Sequence, residues 1–212
     1  MKIVFFGESP ADQAALIVFT EGILGELPEP VDMDLEGHGV TGVLSALGGV
    51  FRGIYYNSDA EGLVVVVDSD DTELHDSDHD KSGQSREGCR LCQVRNSIAQ
   101  ARKHLRARPS GGALKVAIGL AVPAIEAWYL VGKEHQVGEA AWRTGLAANR
   151  PPFTRPDLKK MVYGTDRPSL ELQTECATKE AQRIINNINA IETAFPIGFG
   201  LMASEIRSWK SK

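Results

Sequence analysis

The sequence predicts an α/β fold with an open, mostly parallel sheet of about four strands, flanked by helices and followed by a helical C-terminal extension. The first half of the chain alternates apolar runs with helical patterns in the order βαβαβαβ, and short connections of this kind favour right-handed crossovers. The run LVVVV at 63–67 is apolar throughout, which is typical of a parallel strand covered on both faces. We expect a sheet domain over 1–132 and a loop-rich, helical extension over 133–212, packed on the same domain.

The individual elements follow from local patterns. Proline is favoured in the first turn of a helix, so Pro10 and Pro123 mark two helix starts. Residues 71–90 are polar and predict a loop, whereas 133–175 are loop-rich because several prolines interrupt them. The predicted strands lie at 2–6, 30–35, 63–67 and 113–120, and the predicted helices lie from Pro10, over 37–53, over 91–107, from Pro123, near 176–193 and near 199–210.

Composition excludes several classes of protein. The chain has 212 residues, a net charge of −5 and a pI near 5.6, which argues against a protein that coats nucleic acid by charge alone. No apolar run approaches the roughly 20 residues that span a bilayer. Three cysteines are too few for a disulfide framework, so the sequence predicts a cytoplasmic protein with no membrane partner.

Carboxylates follow three of the predicted strands. Glu8 comes after the first strand, Asp68, Asp70 and Asp71 follow LVVVV, and Glu126 lies just beyond the last strand. Since ligands gather at the carboxyl ends of parallel strands, these side chains are expected to converge on one edge. Such hard oxygen ligands suit Mg²⁺ or Mn²⁺. The alternative is a cluster of turn and helix-start residues, because Asp and Ser favour such positions through local hydrogen bonds. Asp71 fits a loop position better than that of a metal ligand.

These residues resemble the motifs of the Toprim domain of topoisomerases, primases and OLD-family nucleases. The matching segments are FFGESPADQAAL, which carries Glu8, and VVVVDSDD, which carries Asp68 and Asp70. The resemblance implies that Glu8 acts as a general acid–base and that the Asp pair holds Mg²⁺ for phosphodiester chemistry. Asp12 is either a remnant of the first motif or a helix-start charge.

Three later segments are similar to motifs of stand-alone Toprim-like proteins that resemble the nuclease half of OLD systems. The segments are VPAIEAWYL, DLKKMVYG and GFGLMASEIRSW. The resemblance implies a Mg²⁺-dependent nuclease or nuclease-like subunit that acts on nucleic acid, DNA in preference to RNA. It also implies a separately encoded ATPase partner and a role in defence against foreign DNA. On this interpretation Glu126 is a further metal ligand or a partner for a nearby cation.

Basic residues supply candidate phosphate-binding groups. Between Arg86 and Arg108 there are seven Lys or Arg and one acid. Arg95, Arg102 and Arg106 share one face of the predicted helix over 91–107 and could receive backbone phosphates. Lys159 adds positive charge near the same groove. The alternative is a solvated face.

Cys89 and Cys92 form a CxxC pair with His75 and His79 just upstream. The spacing fits a structural Zn²⁺ site, but a single CxxC is a weak signal, and a plain pair of reduced thiols is the favoured interpretation.

Two other functions stay open. The carboxylate site could serve a non-catalytic, metal-dependent interaction module. Asp-x-Asp at a strand end also occurs in other Mg²⁺-dependent phosphotransfer enzymes, although in the haloacid-dehalogenase type that motif ends the first strand, which here leads to Glu8.

Overall fold

The predicted α/β architecture is confirmed by a computed structural model, which describes residues 1–33, 39–81, 86–135 and 137–210. Its four strands form an open, all-parallel sheet in the order β2-β1-β3-β4. The strands are β1 (Lys2–Phe6), β2 (Glu29–Pro30), β3 (Gly62–Asp68) and β4 (Lys115–Ala121). The described helices are α1 (Pro10–Leu24), α2 (Gly39–Asn57), α3 (Ser77–Lys81), α4 (Arg90–Arg102), α5 (Ile125–Tyr129), α6 (Glu139–Ala147), α7 (Arg155–Tyr163), α8 (Leu170–Ile185), α9 (Ile188–Ala194) and α10 (Leu201–Arg207), and a π-helical turn, Pro196–Gly200, precedes α10.

The centre of the core is β3, all of whose residues are buried. It pairs with β4 over its whole length and with β1 over residues 62–65, so it is an interior strand of the sheet. Its β-branched side chains suit a pleated surface that is packed on both faces. The apolar run that predicted a doubly covered strand therefore lies where that pattern requires.

Helices cover both faces of this sheet. One layer contains α1, which packs on α8 and α10, and the other contains α2 and α4, which pack on each other. The start of α1 is fixed by a capping box, in which the Ser9 hydroxyl accepts from the Asp12 N–H and the Asp12 carboxylate accepts from the Ser9 N–H. The helix ends at Gly25, whose φ of 71° is a left-handed conformation that glycine adopts easily.

The C-terminal segment packs directly on the sheet. The π-helical turn approaches β4 so closely that a Cβ on Gly198 would lie 1.9 Å from the Leu120 carbonyl oxygen. The Glu139 carboxylate accepts from the Ile197 and Gly198 N–H groups at 3.1 and 2.6 Å, which fixes the turn. The Lys115 ammonium donates to the Trp209 carbonyl at 3.0 Å.

Several predicted boundaries are wrong. β2 spans two residues instead of 30–35, of which residues 34 and 35 lie outside the described part of the chain. α4 ends at Arg102, because the following chain turns back and the Arg108 guanidinium donates to the Tyr55 and Ala60 carbonyls before β4 begins.

The region predicted as loop-rich, 133–175, instead contains α6, α7 and the start of α8. The prediction of two C-terminal helices, near 176–193 and 199–210, is also wrong in its boundaries. α8 and α9 occupy the first stretch, and α10 follows the π-helical turn. No helix in the described part of the chain has the length and apolarity to cross a membrane.

Candidate active site at the carboxyl edge of the sheet

The strand order places a crevice between the carboxyl ends of β1 and β3. From β1 the chain moves through α1 to β2 at one edge, and from β3 it moves through α4 to β4 at the other. Right-handed crossovers in opposite directions put the following helices on opposite faces, which opens a cleft between the two strand ends. Glu8 follows β1 and Asp68 ends β3, so both lie at this switch point.

Glu8 and Asp68 are in direct contact. The Asp68 backbone N–H donates to Glu8 Oε1 at 2.8 Å. The Asp68 side chain is 10% exposed, and its Oδ1 accepts from the Ile125 N–H at 3.0 Å at the start of α5. Asp68, at the end of β3, therefore contacts both the segment that follows β1 and the segment that follows β4.

Asp70 lies on the turn that follows β3. Its φ of 50° is a left-handed conformation, which Asp tolerates better than most residues. The turn is tied to the segment after β4, because the Ser69 N–H donates to the Ala121 carbonyl at 2.7 Å and the Asp70 N–H donates to the Pro123 carbonyl at 2.9 Å. These bonds hold the Asp70 carboxylate beside that of Asp68.

Arg155, at the start of α7, connects the two aspartates. Its Nη2 donates to Asp68 Oδ2 at 2.7 Å, and its Nη1 donates to Asp70 Oδ1. No motif or charge pattern in the sequence singles out this residue. A local signal for its helix exists, because Thr154 and Asp157 form a capping box, in which the Thr154 hydroxyl accepts from the Asp157 N–H. That signal predicts α7 but does not indicate what Arg155 contacts.

The site holds more negative charge than Arg155 balances. Burial raises the pKa of Asp68 well above its ordinary value, and the neighbouring Glu8 and Glu126 raise it further, while Arg155 opposes the shift. Burial and the charges of Glu126 and Glu8 raise the pKa of Asp12 to about 7. A cluster of this kind is stabilised by protons or by a bound cation.

Glu126 lies in the first turn of α5 and is 5% exposed. Tyr163, the last residue of α7, lies near it: burial and the Glu126 carboxylate raise the pKa of the Tyr163 hydroxyl. Glu126 is therefore one of the acids whose charges act on Asp68, and α7 packs on α5 at that side.

Two of the predicted phosphate-binding arginines lie away from this edge. α4 begins near the carboxyl edge, and its 13 residues extend about 18 Å toward the amino ends of the strands. Arg102 is its last residue. Arg106 lies beyond the helix, where its backbone N–H donates to the Tyr56 hydroxyl at 2.8 Å at the end of α2. Neither residue faces the acidic crevice.

The other two predicted phosphate-binding residues, Arg95 and Lys159, lie in different parts of the structure. Arg95 pairs with Asp80 at 2.9 Å and lies 3.3 Å from His75 Nε2, so it contacts the connection between β3 and α4. Lys159 lies four residues after Arg155 on α7, a spacing that puts both on the same helix face. Of the four predicted phosphate ligands, Lys159 is the one that lies one helical turn from a residue in contact with the acidic site, Arg155.

The described carboxylates at the acidic edge do not form a group of three or more side chains whose ligand atoms all lie within 4.8 Å of one another. Within the described residues, one group of His, Cys, Asp or Glu side chains has all its ligand atoms within 4.8 Å of one another, and it consists of His75, His79, Cys89 and Cys92. The carboxylates of Asp68 and Asp70 are instead bridged by the Arg155 guanidinium.

Comparisons with family models, curated proteins and solved structures found no match.

Proposed function

We propose that this protein is a Mg²⁺-dependent nuclease that cleaves phosphodiester bonds at the crevice between β1 and β3. The observation that carries the proposal is the hydrogen bond from the Asp68 N–H to Glu8 at the switch point of the sheet, together with the Arg155 guanidinium that joins Asp68 to Asp70. Crevices at such points are where open parallel sheets bind their ligands.

The donor set fits a hard divalent cation. Carboxylate oxygens are the ligands that Mg²⁺ and Mn²⁺ prefer, and an aspartate whose pKa is raised by burial and by neighbouring acids is stabilised by a bound cation. Glu8, Asp68 and Asp70 would hold the ion, and Glu126 would add charge behind them. When bound, the ion would supply Lewis-acid stabilisation of the phosphodiester oxygens.

Arg155 would contact the substrate. Its planar guanidinium matches carboxylate and phosphate oxygens equally well, so the group that bridges Asp68 and Asp70 can exchange them for a phosphate. The side chain is 43% exposed, which leaves it access to a ligand at the mouth of the crevice. Lys159, one turn further along α7, would contact a neighbouring phosphate.

Glu8 is placed to move a proton. The Asp68 N–H holds its Oε1, so the carboxylate is fixed at the point where β1 and β3 diverge. A carboxylate fixed beside the reacting phosphate can accept a proton from attacking water, which is the role of a general base. This assignment agrees with the role that the resemblance implies for Glu8.

One observation favours a second candidate function. The Arg155 guanidinium bridges Asp68 and Asp70, and such a bridge is what a non-catalytic interaction module would retain. The two candidates differ in whether Arg155 leaves the aspartates when cation and nucleic acid are present.

Cleavage assays separate these functions. Linear and supercoiled DNA and single-stranded RNA are incubated with the protein and Mg²⁺ or Mn²⁺, with chelator as control. The nuclease predicts metal-dependent cutting that Asp68→Asn abolishes and that Asp71→Asn, a substitution of an exposed neighbouring acid, leaves intact. Absence of cutting in every condition, both for the isolated protein and for the protein with any ATPase that copurifies from its native host, would overturn the nuclease. Turnover of a phosphomonoester in its place would favour a different phosphotransfer enzyme.

The implied ATPase partner and the role in defence against foreign DNA stay predictions of the resemblance. An ATPase recovered with the tagged protein from its native host would support them. If the isolated chain cuts only in its presence, the partner is required for activity.

A further inference from the structure

Four metal-ligand side chains converge in the connection between β3 and α4. They are His75, His79, Cys89 and Cys92, and their ligand atoms all lie within 4.8 Å of one another. Both cysteines are reduced thiols and both are buried. None of the four belongs to the carboxylate site.

Their burial is unusual for this segment, which is otherwise polar. Among the described residues of 71–81 and 86–88, the two histidines are the only buried ones, at 2% and 4% exposure. Apolar packing does not explain why this acidic loop turns two imidazoles inward onto two thiols. A shared ligand does.

The interatomic distances match a tetrahedral ion. His75 Nδ1 lies 3.6 Å from Cys89 Sγ and 3.5 Å from Cys92 Sγ, and His79 Nδ1 lies 3.6 Å from Cys92 Sγ. Sulfur and nitrogen atoms bound to one Zn²⁺ at about 2.3 and 2.0 Å, at the tetrahedral angle, are about 3.5 Å apart. These three nitrogen–sulfur distances are therefore those expected for ligands of one zinc ion, and the remaining ligand-atom pairs lie within 4.8 Å.

The outer nitrogens of both imidazoles face carboxylates. His75 Nε2 lies 3.3 Å from Asp80 Oδ2, and His79 Nε2 lies 3.4 Å from Glu73 Oε1 and 3.7 Å from Asp76 Oδ2. A metal-bound histidine usually donates its second ring N–H to a carboxylate, which fixes the tautomer that leaves Nδ1 free for the metal. His75 has this arrangement with Asp80, to which Arg95, also 3.3 Å from His75 Nε2, is paired. The carboxylates of Glu73 and Asp76 face His79 Nε2 at the slightly longer distances given above.

We propose that His75, His79, Cys89 and Cys92 bind one structural Zn²⁺. Binding converts two thiols into thiolates, and their two protons pass to solvent, while both imidazoles bind as neutral groups. Four protein ligands leave no open position, so the ion is structural and takes no part in phosphodiester chemistry. Two soft sulfurs with two imidazoles favour Zn²⁺ over Mg²⁺ or Mn²⁺.

The position of the ion indicates what it does. The connection runs from Ser69 to Cys89 and contains a single described short helix, α3. Zinc would tie α3 to the start of α4, and the Arg143 guanidinium donates to the His75 carbonyl at 3.1 Å from α6. The turn that carries Asp70 is the beginning of this connection. The site therefore anchors the segment beside the acidic crevice, whether or not that crevice cleaves nucleic acid.

Metal analysis tests this site. The protein is purified without a polyhistidine tag, loaded with Zn²⁺, gel-filtered and assayed by mass spectrometry for zinc per chain. We expect one zinc per chain in the wild type and in Cys176→Ser, a control at a half-buried cysteine on α8, and a loss to near zero in Cys89→Ser and Cys92→Ser. A wild type without zinc, or undiminished zinc in Cys92→Ser, would overturn the site.

Cobalt substitution keeps the test independent of variants that fail to fold. Co²⁺ in a Cys₂His₂ site gives intense visible ligand-field bands and thiolate charge-transfer absorption. His79→Cys should still bind one ion, because Cys₃His is also a zinc set, and should strengthen the charge-transfer absorption. Weak octahedral bands in the wild type, or no added thiolate absorption in His79→Cys, would contradict the proposal.

Discussion

Arg155 Nη2 donates to Asp68 Oδ2 at 2.7 Å and so joins two residues that are 87 positions apart in the chain. One belongs to the sheet and the other to the C-terminal extension. The extension, predicted as an addition to the sheet domain, therefore supplies a group of the candidate active site. Asp68 would otherwise be a buried carboxylate with acids on several sides.

Removing the Arg155 guanidinium should affect both stability and cleavage. Arg155→Ala leaves Asp68 without its cationic partner, so we expect a loss of about 1–3 kcal/mol in the free energy of unfolding at pH 8. If Arg155 binds the reacting phosphate, cleavage should fall on the order of 10²-fold or more. Arg155→Lys should recover part of the stability and little of the activity, because an ammonium cannot make the bidentate contact.

The control for this prediction lies on the same helix. Lys160 is exposed on α7, so Lys160→Ala should change neither the free energy of unfolding nor the rate. Full activity in Arg155→Ala would limit Arg155 to a structural role.

The acidic site should make stability depend on pH through Asp12. Its pKa rises from 3.8 to about 7 on folding, so the folded state binds this proton more tightly. The corresponding stabilisation is complete below about pH 4 and is lost as the pH rises through about 7. Asp12→Asn keeps an oxygen acceptor for the Ser9 N–H and removes the titration.

We therefore expect the wild type to lose stability relative to Asp12→Asn between these pH values, in denaturant unfolding without added divalent cations. Added Mg²⁺ should narrow the difference at pH 8 if the acids bind it. Parallel curves across this range would mean that Asp12 does not titrate abnormally.

The salt dependence of nucleic acid binding should distinguish Lys159 from the distant arginines. Lys159 shares a face of α7 with Arg155, whereas Arg106 lies toward the amino ends of the strands, near the end of α2. Lys159→Ala should reduce the slope of log affinity against log salt by about 0.7–0.9 for the loss of one phosphate contact. Arg106→Ala should leave the slope unchanged, and the reverse result would place the nucleic acid elsewhere.

The contact between the π-helical turn and β4 can be tested with two glycines. A Cβ on Gly198 would lie 1.9 Å from the Leu120 carbonyl oxygen, whereas a Cβ on Gly200 would meet its nearest atoms at 3.6 Å. Gly198→Ala should therefore lower the free energy of unfolding by at least about 2–3 kcal/mol. Gly200→Ala, in helical backbone, should be neutral or stabilising by up to about 1 kcal/mol, as urea unfolding would measure.

The sheet and the position of its acids were predictable because local patterns determine them. A run of four valines is enough to predict β3, and the adjacent residues Ser9 and Pro10 are enough to predict the start of α1. Parallel strands then bring their carboxyl ends to one edge, which is why Glu8 and Asp68 could be expected to meet.

Contacts between distant segments were not predictable in this way. Nothing in the segment FTRPDL indicates that Arg155 contacts two aspartates more than 80 residues earlier. The end of α4 was predicted five residues too late, because the apolar spacing continues to Leu105 while the chain must turn to reach β4. The His75 and Cys89 pairing was visible as a motif, but only the folded loop reveals that both lie in one buried cluster.

The central claim is that Glu8, Asp68 and Asp70 bind a divalent cation, and Mn²⁺ binding tests it most directly. Electron paramagnetic resonance counts free Mn²⁺ during titration of the zinc-loaded protein, compared with Glu8→Gln, Asp68→Asn and the exposed control Asp71→Asn. We expect one site in the wild type and in Asp71→Asn, and affinity at least 10-fold weaker in the other two, by about 1.4 kcal/mol or more. Equal Mn²⁺ affinity in the wild type and in Asp68→Asn would contradict the account.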